Sequence, residues 1–123
     1  MAGVAPSRIA QIAVPVQDLE RAKSFYRDVL GLEHLFDAPP GLVFFRCGDT
    51  RLMLSRPESA ETSGNSILYY GVEDIEAAWR AMTDLGVEFD EPPRCIAKVD
   101  GRDVLLAVCR DSEGNMLGLM SEA

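Results

Sequence analysis

A chain of 123 residues with 47% hydrophobic and 26% charged side chains has the make-up of one ordinary globular domain, which argues against disorder and against a fibrous chain. A formal charge of −8 and a pI near 4.5 argue against binding to nucleic acid or to an anionic membrane surface, because both attractions need clustered Lys and Arg. Cys47, Cys95 and Cys109 are an odd number with no CxxC spacing, so they suggest neither a disulfide framework nor a zinc knuckle and read as reduced thiols.

Met1 to Arg8 has neither the apolar run of a secretory signal nor the arginine-rich pattern of a transit peptide, and no later run approaches a membrane span. A cytoplasmic protein is expected. A strand-like run follows from Ile9 to Val16. Asp18 then has the place of a helix N-cap, Glu20 puts negative charge where the helix dipole favours it, and Leu19, Ala22, Tyr26 and Val29 form one apolar stripe. Gly31 supplies the left-handed stop. Strands are predicted at Gly31 to Leu35, Leu42 to Cys47 and Arg51 to Ser55, with a turn at Gly48-Asp49. His34, the sole histidine, reads as a partly exposed side chain and not as a ligand or base.

Pro57 to Asn65 is rich in Ser, Gly, Glu and Pro and reads as a linker, which puts a module boundary near residue 60. The pattern then repeats, with Val72-Glu-Asp74-Ile75-Glu76 matching Val16-Gln-Asp18-Leu19-Glu20. A strand-like run at Ile67 to Val72 precedes a helix capped by Asp74, whose stripe is Ile75, Ala78, Met82 and Leu85, and Gly86 stops it. The two copies align after a one-residue slip. Strands are predicted at Val87 to Phe89, Val104 to Arg110 and Met116 to Met120, with a turn at Gly114-Asn115. The stretch Glu91 to Arg102 is longer than its counterpart and reads as either a hairpin or a lid.

Period-two alternation assigns Ile12, Val14, Val16, Leu68, Tyr70 and Val72 to a helix-facing core. The other face then carries Gln11, Ala13 and Pro15, Ile67, Tyr69 and Gly71, Arg51, Met53 and Ser55, and Met116, Gly118 and Met120.

The segments QIAVPVQDLERAKSFYRDVLGLE, CGDTRLMLS, YYGVEDIEAAW and RDSEGNMLGLM, in that order, resemble the vicinal-oxygen-chelate superfamily of glyoxalase, bleomycin-resistance and dioxygenase-like proteins over almost the whole chain. The resemblance implies an α+β fold of two βαβββ modules forming a cupped eight-stranded mixed sheet with the helices outside. It places one domain over residues 1–123, with module 1 at about 8–56, the linker at about 57–65 and module 2 at about 66–121, and it implies a homodimer. In metal-dependent relatives the first strand of each module supplies His or Gln and the last supplies Glu. Here those positions read Gln11, Met53, Ile67 and Gly118, so only Gln11 keeps an oxygen donor; no metal and no other cofactor is expected.

Without the metal, the predicted lining is apolar with a few polar groups, and Gln11, Arg51, Met53, Ile67, Tyr69 and Gly118 are the expected ligand-binding residues. Arg51 is either a partner for an anionic group or a solvated strand-edge residue. The first functional reading is a metal-free protein that binds a small organic molecule, for which the acidic charge would suit a cationic compound. The second is a metal-dependent lyase, isomerase or dioxygenase of the glyoxalase type with an atypical site. The third is an enzyme acting without metal through Tyr69 or Arg51.

Overall fold

The computed structural model describes residues 3, 4, 8–56 and 66–122 of the chain. The expected linker at 57–65 lies outside the described residues. The chain divides into two compact units that part between residues 65 and 66.

In the first unit, β1 (Gln11–Pro15) leads through α1 (Leu19–Ser24) to β2 (Glu33–Ala38), β3 (Leu42–Cys47) and β4 (Thr50–Ser55). The sheet order is β1-β4-β3-β2, with β1 parallel to β4 and the other pairs antiparallel. The second unit repeats this with β5 (Leu68–Gly71), α2 (Ile75–Asp84), β6 (Arg94–Val99), β7 (Arg102–Arg110) and β8 (Met116–Glu122), in the order β5-β8-β7-β6. The fold is α+β, a pair of βαβββ modules, each built on a four-stranded mixed sheet.

The helix starts are where the acids place them. Asp18 accepts a hydrogen bond from the Arg21 backbone N–H at 3.1 Å, and Asp74 accepts one from Ala77 at 3.1 Å. Each satisfies one of the donors a helix leaves free in its first turn. The one-residue slip between the copies has a structural cause. After Ser24 the first helix widens into a π-helical turn, Phe25–Val29, marked by the Leu30 N–H donating to the Phe25 carbonyl five residues back at 3.0 Å. A π turn takes up one inserted residue without ending the helix. Gly31 (φ 80°) and Gly86 (φ 97°) then both adopt the left-handed stop that only glycine enters freely.

Helix α1 packs on β3 and β4, and α2 packs on β7 and β8. Alternation holds on the strands beneath them: Val14, Leu52, Leu54 and Phe45 are buried in the first module, as are Leu117, Leu119 and Ala107 in the second. Each large apolar side chain buried this way stabilises the fold by roughly 1.5–3 kcal/mol. Ile12 and Leu68, at the strand ends, are only half-buried. The predicted helix stripes need one correction. Leu85 is 58% exposed, because it caps the C-terminus of α2 where the helical path has already turned off the sheet. Phe25, outside the predicted stripe, is buried beside Tyr26.

A second correction concerns the strand predicted at Val87 to Phe89. Only Phe89 pairs there, through a single bridge to Cys109, and the strand proper starts at Arg94. Pro92 and Pro93 have no N–H to give the ladder, so pairing with β7 lapses between the bridge and Arg94. The stretch read as hairpin or lid is a hairpin: β6 returns into β7 through Asp100 (φ 52°) and Gly101 (φ 78°). The β7–β8 turn is held by Asp111, whose buried carboxylate accepts from the backbone N–H groups of Glu113 (2.8 Å) and Asn115 (2.9 Å) and from the Asn115 amide (3.0 Å). No helix among the described residues is long and apolar enough to cross a membrane.

Candidate functional site

Each sheet has one face under its helix and one open face, and the expected binding residues lie on the open faces. In the first module the parallel register sets Gln11 beside Arg51, Ala13 beside Met53 and Pro15 beside Ser55. The Arg51 Nε–H donates to Gln11 Oε1 at 2.6 Å, and the amide nitrogen of Gln11 lies 3.9 Å from the Met53 sulfur. The structure thus brings Gln11, Arg51 and Met53 together as one cluster.

Two residues of this face escaped the sequence reading. Phe44 pairs with Met53 across β3 and β4, and Phe36 pairs with Phe44 across β2 and β3. Their rings stack at 4.6 Å with a 26° interplanar angle, and the Arg51 guanidinium carbon sits 5.5 Å from the Phe44 ring centre. Phe36 is 47% exposed. The signal was faint: in Phe44-Phe45 two identical residues point to opposite faces, and nothing but the register shows which one meets Met53. A bulge between His34 and Phe36 further shifts the alternation of β2.

In the second module Tyr69 pairs with Gly118 and Gly71 with Met120. A Cβ at Gly118 would lie 2.7 and 2.9 Å from two ring carbons of Tyr69, so the tyrosine ring rests on the glycine backbone and fills the space a side chain would take. The structure therefore brings Tyr69 and Gly118 together. Ile67 lies just ahead of β5 and is 39% exposed. Asp90, Glu91 and Pro92, between the Phe89 bridge and β6, join Arg94, Leu106 and Val108 around a depression of about 190 Å³.

A divalent ion does not fit the four positions where metal-dependent relatives hold one. The single oxygen donor, Gln11 Oε1, already accepts the Arg51 guanidinium, whose positive charge would repel a cation at the same oxygen. Met53 offers only a thioether, Ile67 offers nothing, and at Gly118 a tyrosine ring stands in place of a donor side chain. Among the described residues no three His, Cys, Asp or Glu side chains gather as a metal site elsewhere. His34 is partly exposed, its Nε2 2.7 Å from Asp37 Oδ1, and Lys23 reaches the other oxygen of the same carboxylate at 2.8 Å. Those two hydrogen bonds, Lys23 first, hold Asp37 below the usual carboxylate range. Burial, and then the charge of Asp111, pushes the Cys109 thiol up to about 11, so this cysteine is the reverse of an activated nucleophile.

Comparison with known proteins agrees with the architecture. A family model described as the Glyoxalase/Bleomycin resistance protein/Dioxygenase superfamily matches residues 8–119. A lactoylglutathione lyase from Agrobacterium tumefaciens superposes with a TM-score of 0.77 at 24% identity, covering 96% of both chains. TnmS3, an antibiotic binding protein from Streptomyces sp. CB03234, superposes with a TM-score of 0.82 at 25% identity, covering 98% of this chain and 100% of that one. A 60-residue stretch is 38% identical to the mitochondrial methylmalonyl-CoA epimerase of Mus musculus; the match takes in 45% of this chain and 34% of the mouse protein, so the chain spans about a third of that relative's length.

Proposed function

The chain belongs to the Glyoxalase/Bleomycin resistance protein/Dioxygenase superfamily, and from that premise we propose that it binds a small, partly aromatic organic molecule on its open sheet faces without the divalent metal of its metal-dependent relatives. The observation that carries this reading is the replacement of the ligand set: Gln11 is committed to Arg51, and Tyr69 lies over Gly118. What stands at those positions is instead suited to an organic ligand: in the first module the apolar Met53 and the exposed ring of Phe36, backed by the buried Phe44, and in the second module the exposed Ile67 and Tyr69. The likeness to an antibiotic binding protein supports a small organic ligand. A metal-dependent lyase, isomerase or dioxygenase would need a donor set that these positions lack.

The same reading takes the protein as cytoplasmic and as a homodimer closed by two-fold symmetry, which sedimentation at tens of micromolar checks. The function itself is tested by a thermal-shift screen of small aromatic compounds, run once in EDTA and once with divalent metal. Compounds that raise Tm equally under both conditions are the expected result. Stabilisation that appears only with metal would overturn the proposal.

A further inference from the structure

Resting on that binding reading, we infer that the first module selects a planar aromatic carboxylate, with Arg51 taking the anionic group and the Phe36–Phe44 stack the ring. The open face of this module carries two arginines directly opposite each other, Arg46 on β3 and Arg51 on β4. Like charges facing across two strands repel, so the sheet bears a local cost that a bound anion would relieve. Arg46 is partly neutralised by Glu33, 3.4 Å from its Nε. Among the described residues Arg51 has no carboxylate partner, and the one hydrogen bond of its side chain runs from Nε to Gln11 Oε1.

That bond fixes the guanidinium plane while leaving both terminal nitrogens to donate. A fork held in this way suits the two oxygens of a carboxylate, and its orientation is set before the ligand arrives. The ring of Phe36, 47% exposed and stacked on the buried Phe44, continues the same face away from Arg51. A flat ring laid there would meet an aromatic surface while its carboxylate meets the arginine. The net charge of −8 does not reverse this preference. At physiological salt, fields from distant surface acids are screened beyond about 8 Å, whereas the contact with Arg51 is direct.

Calorimetric titration of the full chain in EDTA with 2-naphthoate and with its neutral counterpart 2-naphthamide tests the assignment. The wild type is expected to prefer the carboxylate by about ten-fold or more, a preference that weakens as salt is raised. Arg51→Met should abolish the preference, weakening the carboxylate far more than the amide, and Arg51→Lys should keep part of it, since a point charge remains without the fork. Arg46→Met, which retains Arg51, should reduce the preference less than Arg51→Met does. Equal wild-type affinity for the two compounds, or a preference that survives Arg51→Met, overturns the anion assignment but leaves the binding function standing. Failure of both compounds to bind overturns both.

Discussion

The two modules use one backbone plan but fill the same positions in opposite ways. On the open face, the row joining the first and last strands holds Ala13 and Met53 in the first module and Tyr69 and Gly118 in the second. Each row has one small residue beside one large one, with the order reversed. The contact of Tyr69 with Gly118 shows why: that row has no room for a Cβ beneath the ring. The same comparison gives two separate reasons why the expected metal positions do not fit a divalent ion. In the first module the remaining donor is tied to an arginine; in the second the donor is gone and a ring has taken its space.

If the modules share a core and differ only on the open faces, their helix-facing positions should respond alike. Leu54→Ala and Leu119→Ala, both fully buried at matching positions, should each destabilise by about 2–5 kcal/mol in chemical denaturation. A large loss in one with none in the other would break the equivalence. Met53→Ala, next to Leu54 but on the open face, should cost well under that range.

A smaller effect sharpens the difference between the faces. Gly118→Ala should destabilise by about 1–3 kcal/mol, since the added methyl collides with Tyr69. In a Tyr69→Ala background the same change should cost much less, and a double-mutant cycle measures that coupling. Additive effects would mean that the ring does not rest on the glycine.

Two further effects lie at opposite ends of the pH scale. Asp37, in the first module, has its carboxyl pKa lowered from 3.8 by hydrogen bonds from Lys23 and His34, so its contribution is present above about pH 4 and is lost as the pH falls through the lower folded value. The side chain is 48% exposed, which keeps the contribution under about 1 kcal/mol. Asp37→Asn should flatten that acid limb. Cys109, in the second module, has its pKa raised from 9.0 to about 11, so its contribution is present below pH 9 and is lost as the pH rises through about 11. Cys109→Ala should remove that alkaline step and leave the acid limb alone; an unchanged alkaline limb would show that folding does not raise the thiol's pKa.

Much of this arrangement could be read from the residues. The N-cap acids, the glycine stops and the period-two strands are local signals, and they located both helices and most strands. The one-residue slip was visible too, although its cause, a π turn, depends on backbone hydrogen bonds that no side chain announces. Alternation placed Gln11, Arg51 and Met53 on one face because each lies in a short unbroken strand. It missed Phe36 and Phe44, whose meeting depends on register between strands and on a bulge. It also misplaced the strand after α2, where Pro92 and Pro93 interrupt a ladder that the apolar pattern alone suggested would start at Val87.

Equilibrium dialysis of the full chain against Mn, Ni, Zn and Fe(II), with metal content measured per chain, tests the proposal of metal-free binding most directly. Occupancy below about 0.1 ion per chain and an unchanged Tm are expected, because three of the four positions, Met53, Ile67 and Gly118, lack a suitable donor and the fourth, Gln11, is held by an arginine. One tightly held ion per chain, released by Gln11→Ala, would contradict it.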